Sequence, residues 1–271
     1  MAVVPEPLSI LLDLDGVLWR ADKPVAGAAA ALARLGGAGH RIAYFTNNSH
    51  PTVADNVAKL GEMGVATTAG LVLSSAQAAA ALGSAGERAL VVGGPGIVEA
   101  LTARRLDAVV CDGPGGSDGF DLVVVGIDPA FDYRRLARAM AAIRAGARLV
   151  GTNADATYPT PSGELPGGGS ILAAVAVASH ADPVVAGKPE EPAAELVRVR
   201  LGRVDLVIGD RLSTDGVFAR RLGAAFGLVL SGVTPAGHGH LDPVPDHEAV
   251  DLAHLVDDLL EKRFDLRPVS R

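Results

Sequence analysis

The chain has 271 residues, 49% of them hydrophobic and 20% charged, with a formal net charge of −7. That is enough core-forming sequence for one large domain or two modest ones, and it is not the composition of a disordered chain. No Lys/Arg cluster supplies the positive surface that nucleic acid demands, no apolar run reaches the roughly 18 residues of a membrane span, and the one cysteine, Cys111, excludes an internal disulfide or a cysteine-rich zinc site.

Leu8–Leu12 is a short run, apolar but for Ser9, in the pattern of a strand buried on both faces, and it ends in Asp13-Leu14-Asp15-Gly16. Ala28–Leu35 reads as a helix closed by Gly36-Gly37, Arg41–Phe45 as the next strand, and Thr52–Met63 as a helix stopped by Gly64. Further strands are expected to end near Ser74, Val92, Cys111, Val125, Val150, Val185, Ile208 and Leu230, with helical segments between most of them. This alternation predicts an α/β protein built of βαβ units around mostly parallel sheet. Acidic or hydroxyl residues follow strand ends in residues 1–76 and 184–271. The intervening 77–183 is another βα-rich block of domain size, and we expect it to be inserted into the first domain. The opening residues MAVVPEPLSI lack the basic start and small-residue cleavage site of a secretory signal, so a cytoplasmic enzyme is expected.

Open α/β sheets bind ligands beyond the carboxyl ends of their strands. Four such ends carry distinctive residues. Asp13 and Asp15 can converge once the chain turns. Thr46-Asn47-Asn48 offers a hydroxyl and backbone amides to an oxyanion. Gly187-Lys188-Pro189 brings a cation, and Gly209-Asp210 with Thr214-Asp215 brings two more acids. Singly, each has a plainer reading: Asp13 as a turn former, Thr46-Asn47-Asn48 as a turn, Lys188 as a solvated charge, Asp215 as an acid at a helix N-terminus. Their order along the chain, an acidic pair, then Thr, then Lys, then two acids, favours a shared site.

With these residues in that order, the chain resembles the haloacid-dehalogenase-like (HAD) phosphohydrolase superfamily, in its NagD-like class IIA branch. Asp13-Leu14-Asp15-Gly16-Val17-Leu18, Thr46-Asn47-Asn48-Ser49, Gly187-Lys188-Pro189 and Gly209-Asp210 with Thr214-Asp215 match the four motifs. Val125-Gly126-Ile127-Asp128, Thr152-Asn153-Ala154-Asp155 and Leu165-Pro166-Gly167-Gly168-Gly169-Ser170 match the inserted cap. Within the branch the likeness is greatest to actinobacterial glycerol-3-phosphate phosphatases. Two departures stand out: Pro192 follows Glu190-Glu191 one position later than usual, and Ser213 stands where several relatives carry Asp.

The resemblance implies a Rossmann-like core with an inserted α/β cap, and a phosphatase that uses Mg²⁺ held by the Asp13 side chain, the Asp15 backbone carbonyl and the Asp210 side chain. Asp13 is the implied nucleophile and Asp15 the implied acid and base. Thr46 and the Asn47 amide would hold the phosphoryl oxygens, Lys188 would balance charge, and Asp215 would act from behind the ligands by a hydrogen bond or through water. The short stretch between Asp15 and Thr46 leaves no room for a cap there. Leaving-group choice therefore falls to the cap, where Asn153, Asp155 and Tyr158 could hydrogen-bond a polyol such as glycerol 3-phosphate, or read phosphoglycolate. Asn153 and Asp155 could equally only shape a turn. The expected partner is a small phosphorylated metabolite, with no nucleic acid and no membrane, and the branch implies a homodimer through the cap. A phosphotransferase or mutase, and a catalytically silent phosphometabolite-binding protein, are the competing readings.

Other features receive plain readings. Gly93-Gly94-Pro95-Gly96 lacks the third glycine of a dinucleotide fingerprint. His238-Gly239-His240 with Asp242 reads as an exposed loop rather than a metal site, and Cys111 as a buried small apolar residue. Trp19 fits either a core position or the mouth of the site.

Overall fold

Runs such as Leu122–Val125, buried at every position, cannot alternate one wet face with one dry face, and they end in the middle of parallel sheets. A computed structural model describes residues 7–20, 23–112, 116, 119–160, 163–237, 239 and 241–261. In chain order its elements are β1 (Ser9–Leu12), β2 (Trp19–Arg20), β3 (Lys23–Pro24), α1 (Ala28–Gly37), β4 (Arg41–Thr46), α2 (Val53–Glu62), β5 (Val72–Ser74), α3 (Ser75–Ala80), β6 (Arg88–Val92), α4 (Pro95–Ala103), β7 (Asp107–Val110), β8 (Leu122–Val125) and α5 (Tyr133–Arg144). They continue with β9 (Arg148–Gly151), β10 (Thr157–Thr160), β11 (Gly163–Pro166), α6 (Gly168–Ser179), β12 (Val184–Val185), α7 (Glu191–Leu201), β13 (Leu206–Gly209), a π-helical turn (Leu212–Gly216), α8 (Val217–Leu222), β14 (Ala225–Val229), β15 (His247–Ala249) and α9 (Leu252–Leu260). None of the described helices is long and apolar enough to cross a membrane.

The chain divides into two units. The described residues of Met1–Thr46, Val57–Leu73 and Val197–Arg271 form the first, and those of Asn47–Asn56 and Ser74–Leu196 the second. The first unit carries a sheet in the order β15-β14-β13-β1-β4-β5. Its β1 lies parallel to both β4 and β13, with Leu12 opposite Tyr44 on one side and Ile208 on the other. The chain runs outward from β1 in both directions, so the order reverses between β1 and β13. At such a point the two outgoing connections part and leave a crevice at the carboxyl ends of the strands. Helix α1 buries Ala28, Ala31, Leu32 and Leu35, and α9 buries Leu252, Leu255, Val256 and Leu259. Both follow the i, i+3, i+4, i+7 spacing of an apolar helical stripe, and the two helices pack together. Helix α9 opens on Asp251, whose side chain accepts from the His254 N–H.

The second unit is built on a parallel sheet in the order β12-β9-β8-β6-β7. Two apolar layers cover its faces, one around Ala78, Val91, Ile97, Leu101 and Val124, the other around Leu90, Val123, Ile143, Leu149 and Val175. Val184–Val185, which the sequence reading assigned to the segment 184–271, is bonded to β9 of this sheet. One segment differs from expectation, since no strand was predicted between those ending near Val150 and Val185. The Gly- and Pro-rich segment 152–170 contains an antiparallel hairpin, β10 with β11, with Thr157 opposite Pro166 and Thr160 opposite Gly163. All of β11 is exposed, so no apolar alternation marks it in the sequence. Helix α6 begins at Gly168, directly after this hairpin. A β-carbon at Gly169 would overlap the Ala154 backbone, and the Gly169 N–H donates to the Asp155 carbonyl at 2.9 Å. The glycines thus let the first turn of α6 lie against residues 153–155.

Candidate active site

Asp13 follows the last residue of β1, and its N–H donates to the Ile208 carbonyl of β13 at 2.9 Å. This bond carries the ladder one step past the strand and turns the next residues into the crevice between β1 and β13. Asp210 follows β13 directly. The carboxylates of Asp13, Asp210 and Asp215 offer oxygens that all lie within 4.8 Å of one another. Asp210 is only 4% exposed and Asp215 only 1%. Asp210 is fixed from both ends: its Oδ2 accepts from the Val233 N–H at 2.6 Å, and its carbonyl accepts from the Thr234 hydroxyl at 2.6 Å. Asp215 lies in the π-helical turn, a form frequent at functional sites. Its Oδ2 accepts from the Arg211 N–H at 3.2 Å.

The chain approaches Asp210 closely at two glycines. A β-carbon at Gly16 or Gly232 would fall on the Asp210 carboxylate, and Gly16 has φ +81°, a conformation costly for any residue with a side chain. Three carboxylates gathered at this spacing, two of them buried, repel one another and have lost most of their hydration. A cation bound among them relieves both costs. The donors are all hard oxygens, which matches Mg²⁺ chemistry, and the soft sulfur and imidazole ligands that would favour zinc are absent from the group.

Of the expected ligands, Asp13 and Asp210 come together, and Asp215 lies in the same group. Asp15 is engaged differently: its Oδ1 accepts from the Trp19 indole N–H at 2.8 Å. Thr46 ends β4 beside β1 and is buried.

Lys188, Asn153 and Asp155 gather around Asn47 in the second unit. The Asn47 side chain brackets the Lys188 backbone: its Oδ1 accepts from the Lys188 N–H at 2.8 Å, and its Nδ2 donates to the Lys188 carbonyl at 3.0 Å. The same Nδ2 donates to Asp155 Oδ2 at 3.1 Å. The Asn47 carbonyl accepts from Asn153 Nδ2 at 2.7 Å and from the Ser75 hydroxyl at 2.8 Å. Asn47, Asn153, Asp155 and Lys188 are therefore one bonded group, with Lys188 only 4% exposed. Tyr158 stands on β10 opposite Leu165 and is half-buried. Sequence reasoning missed Ser75, and it named Ser49 and Thr152 only as motif positions without foreseeing that their hydroxyls pair at 2.8 Å. A single hydroxyl in a small-residue stretch, such as Ser75, carries no pattern that would single it out.

The plain readings fare as follows. A β-carbon at Gly94 or Gly96 would strike His50 or the backbone of Pro51, and the Gly96 N–H donates to the His50 carbonyl at 2.9 Å. This glycine-rich loop accommodates the protein's own chain. Cys111 is buried, as expected of a small apolar residue, and burial pushes its thiol pKa up. His238 and His240 lie outside the described residues.

Residues 10–106 match the family model of haloacid dehalogenase-like hydrolases, and residues 185–261 match a second model described as HAD-hydrolase-like. The D-glycerol 3-phosphate phosphatase of Mycobacterium tuberculosis is 36% identical over 266 residues, covering 95% of this chain and 73% of that protein. The acid sugar phosphatase of Staphylococcus saprophyticus is 36% identical over 213 residues, covering 76% of this chain and 79% of that protein. Among solved structures, a glycerol phosphate phosphatase from Mycobacterium tuberculosis in complex with magnesium superposes with a TM-score of 0.82 at 35% identity, covering 92% of this chain and 77% of that one.

Proposed function

This chain belongs to the haloacid dehalogenase-like hydrolases and is a phosphoric monoester hydrolase, and we propose that it cleaves small-molecule phosphate monoesters with Mg²⁺ through a phosphorylated Asp13. The observation that carries this reading is the group of Asp13, Asp210 and Asp215 at the crevice where the strand order reverses. Asp13, Asp210, Asp215 and the Asp15 carbonyl would hold the ion. When bound, Mg²⁺ supplies the positive charge that lets a carboxylate approach a phosphate dianion.

The protein's own groups do the rest. An oxygen of Asp13 attacks phosphorus while the bond to the leaving oxygen breaks, and Asp15 gives that oxygen its proton. Asp15 then takes a proton from the water that splits the phosphoaspartate, which returns Asp13 as a carboxylate. Thr46 and the Asn47 amide hold phosphoryl oxygens, and Lys188 offsets negative charge near them. The Asn47 bracket supports this role for Lys188, because it fixes the backbone from which the ammonium extends. The bond from Asn47 to Asp155 joins the phosphate-holding turn to a residue suited to a polyol, and Asn153 and Tyr158 lie in the same segment. The glycerol phosphate and sugar phosphatases among the relatives support a leaving group with several hydroxyls.

The test is hydrolysis of p-nitrophenyl phosphate with and without chelator. EDTA is expected to lower the rate by at least about 10²-fold, and excess Mg²⁺ to restore it. A rate unchanged by thorough chelation would contradict the reading.

A further inference from the structure

Trp19, the one tryptophan of the chain, is 1% exposed, yet its N–H is directed at Asp15 Oδ1 at 2.8 Å. The backbone holds this arrangement at several points. The Leu18 N–H donates to the Leu14 carbonyl at 2.9 Å, and the Gly16 N–H to the Trp19 carbonyl at 2.6 Å. Trp19 opens β2 and pairs with Pro24 of β3. On the indole face, Lys59 Nζ lies 4.2 Å from the ring centroid, an attraction that pins the ring and polarises its N–H. A buried Trp needs a partner for its N–H, but many backbone carbonyls could supply one. Here the partner is a side-chain carboxyl, four residues back, which the proposed reaction uses.

We infer that Trp19 is a positioning residue that orients the Asp15 carboxyl for proton transfer to the leaving group; this rests on the role given to Asp15 above. The indole N–H can only donate, so Oδ1 is held as the accepting, carbonyl-like oxygen. The proton that Asp15 delivers then sits on Oδ2, and the carboxyl plane is set by the indole. When the P–O bond breaks, that proton moves from Oδ2 to the departing alkoxide, and Oδ1 keeps its bond to Trp19 throughout. An alkoxide depends on this proton. A p-nitrophenolate is stable enough to leave without it.

The experiment compares kcat/KM for glycerol 3-phosphate and p-nitrophenyl phosphate, because kcat/KM reads the first half-reaction, in which the leaving group departs. Trp19→Phe removes the N–H and keeps an aromatic ring. Replacing the single tryptophan with its sulfur analogue, benzothienylalanine, removes only the N–H and guards against loss of packing. Both proteins are expected to lower the ratio of alkyl to aryl kcat/KM by about tenfold to a hundredfold, part of the 10²–10⁴ that a well-placed general acid contributes. Asp15→Asn is expected to lower the same ratio further. An equal fall on both substrates would make Trp19 a packing residue only, and an unchanged ratio in the sulfur analogue would remove its role altogether. If Asp15→Asn itself left the ratio unchanged, the acid assignment would fail, and the inference with it.

Discussion

Asp13→Asn is expected to reduce kcat on p-nitrophenyl phosphate by about 10⁴-fold or more, because removing the nucleophile of a covalent mechanism leaves only binding and electrostatic contributions. The amide keeps the shape of the carboxyl, and the backbone bond from Asp13 to Ile208 does not involve the side chain. The fold should therefore survive. The substitution also removes one of three crowded negative charges, two of which are buried. Without divalent ions, the variant is expected to melt higher than the parent protein, because the relieved repulsion outweighs the contacts the carboxylate loses. Steady-state kinetics and a thermal melt in EDTA measure both. Residual activity within tenfold of the parent would exclude Asp13 as the nucleophile.

Gly16→Ala is expected to damage the site from the backbone. At φ +81° an added β-carbon brings strain, and that carbon would fall on the Asp210 carboxylate and approach Gly232. Either the turn carrying Asp13 and Asp15 moves, or Asp210 leaves its bond to Val233. We expect a loss of about 2 kcal/mol in stability and of about 10² in kcat, the effect of misplacing a reacting group by an ångström. Gly39→Ala is the control. It shares a positive φ of +88° but has nothing within 4 Å of the added carbon. It should lose about 1 kcal/mol and keep its activity. Equal activity in the two variants would mean that the approach of Gly16 to Asp210 is not what holds the site.

The first acids were legible because they follow strands, and a buried strand shows as a mostly apolar run even where one polar residue, Ser9 or Asp205, interrupts it. Leu8–Leu12 and Val204–Ile208 mark where Asp13 and Asp210 stand, and β1 and β13 do lie side by side. Asp215 shows the limit of such reading. Five residues past Asp210, it could cap a helix or join the acids, and only the π-helical turn decides by carrying its carboxylate inward. Trp19 shows the same limit, since composition offers no means of telling a core indole from one bonded to an acid. The hairpin β10–β11 was hidden for a different reason: its exposed residues lack periodicity, and its pairing is made by backbone bonds that any sequence can form. The bracket of Asn47 on Lys188 joins residues 141 apart in sequence, and no local pattern can predict it.

Calorimetric titration with Mg²⁺ tests most directly whether the three carboxylates form one ion site. The parent protein should bind one ion tightly per chain, and Asp210→Ala and Asp215→Ala should each weaken that binding by about tenfold to a hundredfold or more. Unchanged affinity and stoichiometry in both variants would place the ion elsewhere and contradict the mechanism.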